Sequence, residues 1–229
     1  MDKLLQKFED TFRGKVYKHR VSTTGDVIAS YLYEDLLSLG TSPKFIQRAQ
    51  DGLVAVNTSN RIKGKKGRRG DGTFGKIIPG ENPVLVPGFG IPRAPIATLE
   101  IGTEVKIMAT KMIAQIDRVM SDLVGQSQTF RRHNRRAISI GVVGVNYADE
   151  YTGYEGERSF DARTPPGREA PEIVRRLDAV KAEFDEVLIL KYKATNRPPY
   201  AFSWVSSADA RLEYRSILVR VSDEYEVRF

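Results

Sequence analysis

The stretch from Ala97 to Met108 carries the side chains best suited to chemistry. With the two-residue period of a β-strand, it separates into a charged face and a mostly apolar face. The charged face consists of Glu100, Gly102, Glu104 and Lys106. The apolar face consists of Leu99, Ile101, Thr103, Val105 and Ile107. On strand geometry Glu104 and Lys106 project from the same face about 7 Å apart, so a carboxylate and an ammonium are available together.

A carboxylate beside a lysine suits phosphoryl chemistry. Hydrolysis of a phosphodiester needs an oxygen-ligated divalent ion and a cation that holds or activates the attacking water. The alternative is structural, because an edge or half-solvated strand also has a charged outer face. This stretch by itself leaves both interpretations open.

Other catalytic classes have few candidate residues. The chain has no cysteine, only two histidines, His19 and His133, and no G-x-S-x-G motif. A serine or cysteine triad and a zinc site are therefore disfavoured. No apolar run approaches the ~20 residues of a membrane span, and the first residues lack the apolar core of a signal peptide. We expect a cytoplasmic protein without a membrane partner.

Positive charge is in excess and is clustered. The 229 residues carry 36 Lys and Arg against 29 acidic residues, a formal charge of +7. The run 61–70 holds six positive charges and the run 131–136 holds four. Clustered positive charge favours polyanions, nucleic acid first and anionic membrane second, whereas solvated basic loops are the structural alternative.

The chain up to Gly52 is predicted to form three helices. Helices are expected over 2–13, from Thr24 to Gly40, and from Ser42 to Gly52, and a strand over 53–57. The glycine-rich basic segment 61–75 is predicted to be a loop. Residues 70–76 in it have the spacing of a phosphate-binding loop, but Ile77 replaces the required Ser or Thr. We therefore expect no nucleotide cofactor.

The rest of the chain alternates strands and helices. After the central strand, apolar spacing predicts a helix over 110–130 and a buried strand over 137–146, a unit that normally makes a parallel crossover. Residues 147–169 are predicted to be a surface segment. A helix over 170–184, a strand over 186–192 and one or two closing strands over 211–229 complete the prediction. The simplest account is one α/β domain over 1–229, with a core of about 25–195.

A strand carrying Glu-x-Lys, followed by a helix and a buried strand, resembles the catalytic core of the PD-(D/E)XK superfamily of restriction-endonuclease-like nucleases. The resemblance covers roughly residues 25–146 and implies a mixed central sheet flanked by helices. It implies that Glu104 and an upstream Asp bind Mg²⁺ and that Lys106 assists the water. Glu34 resembles the acid that an N-terminal helix often adds in this family. Asp71 is the first choice for the upstream ligand, and Glu100 is its rival.

The same resemblance implies DNA as substrate. The residues expected to hold phosphates are Lys63, Lys65, Lys66, Arg68, Arg69, Arg131, Arg132, Arg135 and Arg136. Lys111 and Gln115, which follow the central strand, are expected to reach a phosphate near the scissile bond. The implied function is a Mg²⁺-dependent endonuclease of restriction type, acting as a homodimer. A non-catalytic nucleic-acid-binding protein and a structural protein with basic loops remain the alternatives.

Overall fold

The computed structural model describes residues 2–18, 23–62, 65–66, 70–155 and 157–229, and gives the backbone alone at 59–62 and 65–66. Its helices are α1 (Lys3–Asp10), α2 (Thr23–Leu39), α3 (Pro43–Gln50), α4 (Met112–His133), α5 (Pro166–Leu177) and α6 (Ser207–Arg228). Its strands are β1 (Val54–Ile62), β2 (Lys65–Lys66), β3 (Gly72–Ile77), β4 (Arg93–Met108), β5 (Ile138–Asn146), β6 (Thr152–Glu155), β7 (Arg158–Asp161), β8 (Glu186–Ala194) and β9 (Phe202–Trp204). A 3₁₀ helix, Asp178–Glu183, follows α5.

A mixed sheet lies between two layers of helices. Its strand order is β2-β1-β3-β4-β5-β8-β9, with β3 antiparallel to β4 and β5 parallel to both β4 and β8. One face packs against α4, α5 and the 3₁₀ helix, and the other against α1, α2, α3 and α6. The mixed α/β class with a central sheet flanked by helices is therefore confirmed. Within the described ranges, no helix combines the length and apolarity needed to cross a membrane.

Local sequence signals account for several helix starts. Ser42 caps α3 by accepting a hydrogen bond from the Phe45 amide at 3.1 Å, and Pro43 occupies the first helical turn. This arrangement satisfies an amide that the helix leaves free and pre-sets the backbone angle. Asp35 in α2 serves the start of α1 in a different way, because its carboxylate accepts from the amides of Lys3 and Leu4 at 3.0 and 2.9 Å.

The predicted strands over 211–229 are wrong, because this segment is helix α6. Its buried residues recur at three- and four-residue spacing, the period of a helix face. These residues are Tyr214, Ile217, Leu218, Val221, Ser222 and Tyr225. Leu212 and Val219 suggested alternation, but they are 69% and 40% exposed. The N-terminal helix is also shorter than the predicted 2–13, since α1 ends at Asp10.

The predicted loop over 61–75 is wrong for residues 61–62, 65–66 and 72–75, which are strand, whereas residues 70–71 do lie outside the strands. β1 extends to Ile62, and the segment that matched a phosphate-binding loop is largely strand β3. Its glycines allow close packing: a Cβ on Gly72 would lie 2.6 Å from the Ala29 side chain, and one on Gly75 would lie 1.8 Å from the Thr98 carbonyl oxygen. Only glycine permits such an approach of neighbouring backbone.

Candidate active site

Strand pairing brings an aspartate to the central Glu-x-Lys. β3 runs antiparallel to β4 with Gly72 opposite Thr103, so the preceding residue, Asp71, falls beside Glu104. The Asp71 Oδ2 atom accepts a hydrogen bond from the Val105 amide at 2.7 Å. Two carboxylates from distant parts of the chain therefore converge at one point of the sheet.

Glu104 and Lys106 lie on the same face of β4 and form an ion pair. The Lys106 Nζ atom is 2.6 Å from Glu104 Oε1. Glu104 is 5% exposed, whereas the Lys106 side chain is 24% exposed. The acid is thus held under the surface and the ammonium reaches solvent.

The first turn of α2 packs against Asp71. A Cβ on Gly25 would lie 2.5 Å from both Cγ and Oδ1 of Asp71, so glycine is needed for the helix to approach this carboxylate. The negative charge of Asp26, the next residue, contributes to the raised pKa of Asp71. Asp26 is therefore a third acid near the pair.

Burial is the main cause of an altered pKa at Asp71, and the charge of Glu104 adds to it. Together they raise the pKa of Asp71 to about 7, although the Val105 amide and the Lys106 ammonium oppose the shift. Close like charges make ionisation of the second carboxyl costly. When Asp71 is ionised, the two carboxylates carry more negative charge than Lys106 neutralises.

Asp71 and Lys106 line a cleft of about 740 Å³, and Glu104 lies buried beside them. Asp71, Lys106 and the first turn of α2 form one side, the start of α4 forms another, and the β6–β7 hairpin adds Glu155 and Phe160. The residue before α4 and the first turns of α4 line the cleft with Lys111, Ala114, Gln115, Arg118, Val119 and Asp122. Lys111 and Gln115 therefore share a cleft with Asp71 and Lys106.

Glu34 does not join this site. Its two carboxylate oxygens accept hydrogen bonds from the amides of Gly90 and Ile91 at 2.8 and 3.0 Å. The acid is 1% exposed and holds the loop before β4 against the middle of α2. The predicted placement of Glu34 at the site is therefore wrong, because the part of α2 that lines the cleft is its first turn, with Thr24 and Gly25.

Glu100 is also placed elsewhere, and a β-bulge is the reason. Phe74 pairs with Ile101 but Gly75 pairs with Leu99, so Glu100 is an extra residue in β4. A bulge reverses the alternation of side chains beyond it. Glu100 therefore points toward α3 and α6, where Arg48 and Tyr225 contact it, and the predicted shared face with Glu104 is wrong.

The predicted phosphate-holding residues are spread along the molecule. Arg131, Arg132, Arg135 and Arg136 lie at or after the end of α4, whose 22 residues span about 33 Å. They are at the opposite end of this helix from Lys111. The Arg136 guanidinium lies 5.4 Å from the Phe229 ring centroid. Lys63, Arg68 and Arg69, like His19, lie outside the described residues, as do the side chains of Lys65 and Lys66.

No metal-binding cluster of the usual kind is present in the described ranges. There, no group of three or more His, Asp or Glu side chains is placed to hold a metal ion. Comparisons with family models, curated proteins and solved structures find no match. The geometry of the cleft is therefore the basis for any functional proposal.

Asp71 gives the site a measurable pH dependence. Its pKa is raised to about 7 in the folded protein, against about 3.9 when unfolded. Its contribution to stability is therefore complete below about pH 4 and is lost as the pH rises through about 7. In EDTA, we expect Asp71→Asn to be more stable than the parent by roughly 2 to 4 kcal/mol at pH 7.5. Asparagine keeps an acceptor for the Val105 amide and carries no charge.

Urea unfolding of both proteins at pH 4 and pH 7.5 measures this difference. The two free energies of unfolding should be close at pH 4 and diverge at pH 7.5. An equal difference at both values would show that Asp71 ionises normally in the folded protein.

Proposed function

We propose that this protein is a Mg²⁺-dependent endonuclease that hydrolyses phosphodiester bonds in DNA, with its active site at Asp71, Glu104 and Lys106. The observation that carries the proposal is the convergence of these three side chains at one point of the sheet. Asp71, just before β3, and Lys106, on β4, line one cleft, and the buried Glu104 is ion-paired to Lys106. The parallel pairing of β4 with β5 through α4 supports the resemblance to the PD-(D/E)XK nucleases. A sequence-specific, restriction-type enzyme is the form that this resemblance favours.

The donor set fits magnesium. This ion takes one or two carboxylates from a protein and keeps waters or substrate phosphate oxygens for its remaining positions, so a cage of three acids is not required. Oδ2 of Asp71 is bonded to the Val105 amide and Oε1 of Glu104 to Lys106. Asp71 Oδ1 and Glu104 Oε2 make no hydrogen bond with other described groups and are available to a cation. When bound, Mg²⁺ would offset the repulsion between the acids and stabilise negative charge on the phosphate.

Lys106 supplies the ammonium group that would hold the water that attacks the phosphorus. Its ammonium is fixed by Glu104, and the exposed part of the side chain reaches the cleft. From that position it can orient a water toward the phosphorus and donate a hydrogen bond to a non-bridging oxygen. The water loses a proton to the solvent and forms the new P–O bond, the bond to the leaving oxygen breaks, and that oxygen takes up a proton from the solvent.

The proposal is tested with purified protein on supercoiled plasmid and on mixed-sequence linear DNA, in Mg²⁺ and in EDTA. With Mg²⁺ but not with EDTA, we expect the protein to produce nicked or linear plasmid, or discrete fragments of the linear DNA. Salt-sensitive binding of unmodified and methylated DNA without any cleavage would favour the non-catalytic nucleic-acid-binding alternative.

Magnesium binding has a readout that does not depend on cleavage. A ligand that binds only the folded state raises the melting temperature as its concentration exceeds the dissociation constant. At pH 7.5, we expect Mg²⁺ to raise the melting temperature of the parent and to have little effect on the double variant Asp71→Asn, Glu104→Gln. An equal shift in both proteins would place the magnesium elsewhere.

A further inference from the structure

Lys111 has an unusual backbone conformation at the mouth of the cleft. It immediately precedes α4 and adopts the left-handed region, with φ 50° and ψ 40°. Lysine rarely adopts this region, because its Cβ then lies too close to the carbonyl oxygen that follows. Its side chain does not cap the helix. The Lys111 side chain lines the cleft instead.

The β6–β7 hairpin holds this ammonium. The Lys111 Nζ atom lies 4.5 Å from the centroid of the Phe160 ring, a cation–π contact. Gly153 is the cross-strand partner of Phe160, and a Cβ there would be 2.3 Å from the Phe160 Cζ atom. The ring can therefore lie over the backbone of β6 only because residue 153 is glycine. Two strands that take no part in the main sheet thus position one lysine.

No described acid forms a salt bridge with the Lys111 ammonium, and the aromatic ring orients the cation without cancelling its charge. The helix N-terminus itself is already used, since the Glu169 carboxylate accepts from the Met112 amide at 2.7 Å. An anion at this corner of the cleft would accordingly be bound by side chains. Gln115 and Arg118 lie on the same wall of the cleft as Lys111. Besides Asp71, the acids that line the cleft are Asp122 and Glu155.

We propose that Lys111, positioned by Phe160, forms a second phosphate subsite that binds the phosphate next to the scissile one on the same strand. This inference rests on the proposed function for its first phosphate, which lies at Asp71, Glu104 and Lys106. The common cleft connects the two positions, so a single nucleic-acid strand can occupy both. The two positions together would recognise a nucleotide that carries phosphates on both its 3′ and 5′ oxygens.

The test compares binding of thymidine 3′,5′-bisphosphate and thymidine 5′-monophosphate in Mg²⁺ by calorimetry. We expect the parent to bind the bisphosphate about tenfold more tightly, consistent with one added charge-assisted contact. Lys111→Ala should lose this preference. Phe160→Leu should lose part of it and Phe160→Tyr should retain it, because tyrosine keeps the aromatic face. Lys193→Ala, an exposed lysine on β8, is the control and should bind as the parent does.

The outcomes separate this proposal from the proposed function. A preference for the bisphosphate that depends on Lys111 supports the subsite even if the protein cleaves no DNA. The subsite is overturned if the parent binds both nucleotides equally or binds neither, or if Lys111→Ala keeps the preference, even when plasmid cleavage is normal. Since the Lys111 side chain is exposed, we expect the variant to fold, and its thermal unfolding checks this.

Discussion

Replacing Glu104 by glutamine is expected to lower Mg²⁺-dependent DNA cleavage by about 10²- to 10³-fold while leaving the protein at least as stable as the parent. The substitution keeps the size of the side chain and an acceptor for Lys106, whose Nζ lies 2.6 Å from Oε1. Burial is the main cause of the raised pKa of Asp71, and the substitution removes the negative charge that adds to it. An inactive variant that gains stability would indicate that the parent tolerates repulsion between two buried acids for the sake of function.

Lys106→Ala complements this variant. It should lose cleavage to a similar extent, but it leaves Glu104 without its counter-charge beside Asp71, so we expect lower stability at pH 7.5 than at pH 5. Rates of plasmid cleavage, binding of a short duplex and thermal unfolding are measured for each variant. Lys193→Ala is again the matched control, since it removes an exposed lysine from a different part of the sheet. Full cleavage by Glu104→Gln would exclude the proposed active site.

The second large effect is expected on stability, at the ion pair between the partly buried Arg48 and the buried Glu100. Arg48 donates to both oxygens of Glu100 at 2.6 and 3.0 Å, and Tyr225 donates to Glu100 Oε2 at 2.6 Å. Burial and the adjacent Glu100 raise the pKa of Tyr225, so its hydroxyl stays protonated. Arg48→Ala leaves a buried carboxylate without its cation and should cost about 3–5 kcal/mol of unfolding free energy.

A surface pair provides the matched control. Arg175 contacts Glu172 with two hydrogen bonds at 2.7 and 2.6 Å, but these side chains are 72% and 44% exposed. Arg175→Ala should therefore cost less than about 1 kcal/mol. Denaturant unfolding of both variants measures the difference. A double variant, Arg48→Met with Glu100→Gln, should recover part of the loss because no unpaired charge remains.

A further variant tests whether Glu100 is a metal ligand. Glu100→Gln is expected to retain Mg²⁺-dependent cleavage at a temperature where the variant is folded, because the carboxylate lies on the α3 and α6 side of the sheet. Loss of cleavage by the folded variant, with retained activity in Asp71→Asn, would instead make Glu100 the metal ligand.

Local patterns in the sequence were sufficient for several elements of the fold. Ser42-Pro43 marked the start of α3, and the apolar stripe over 110–130 marked α4 to within a few residues. The apolar run over 137–146 indicated a strand buried on both faces, which β5 is. These signals act over one or two turns or along one strand, so neighbouring residues are enough to express them. The pairing of Glu104 with Lys106 follows in the same way from their two-residue spacing.

Tertiary structure decided which other acids join that pair. Asp71 lies beside Glu104 because of the register between β3 and β4, and Glu100 is turned away by one extra residue in β4. Neither the register nor the bulge has a local sequence signal, since both depend on pairing between separated segments. Glu34 lies away from the site because the first turn of α2, and not its middle, lines the cleft. Packing of distant elements therefore determined the membership of the site, whereas the sequence by itself determined its central pair and most of the helices around it.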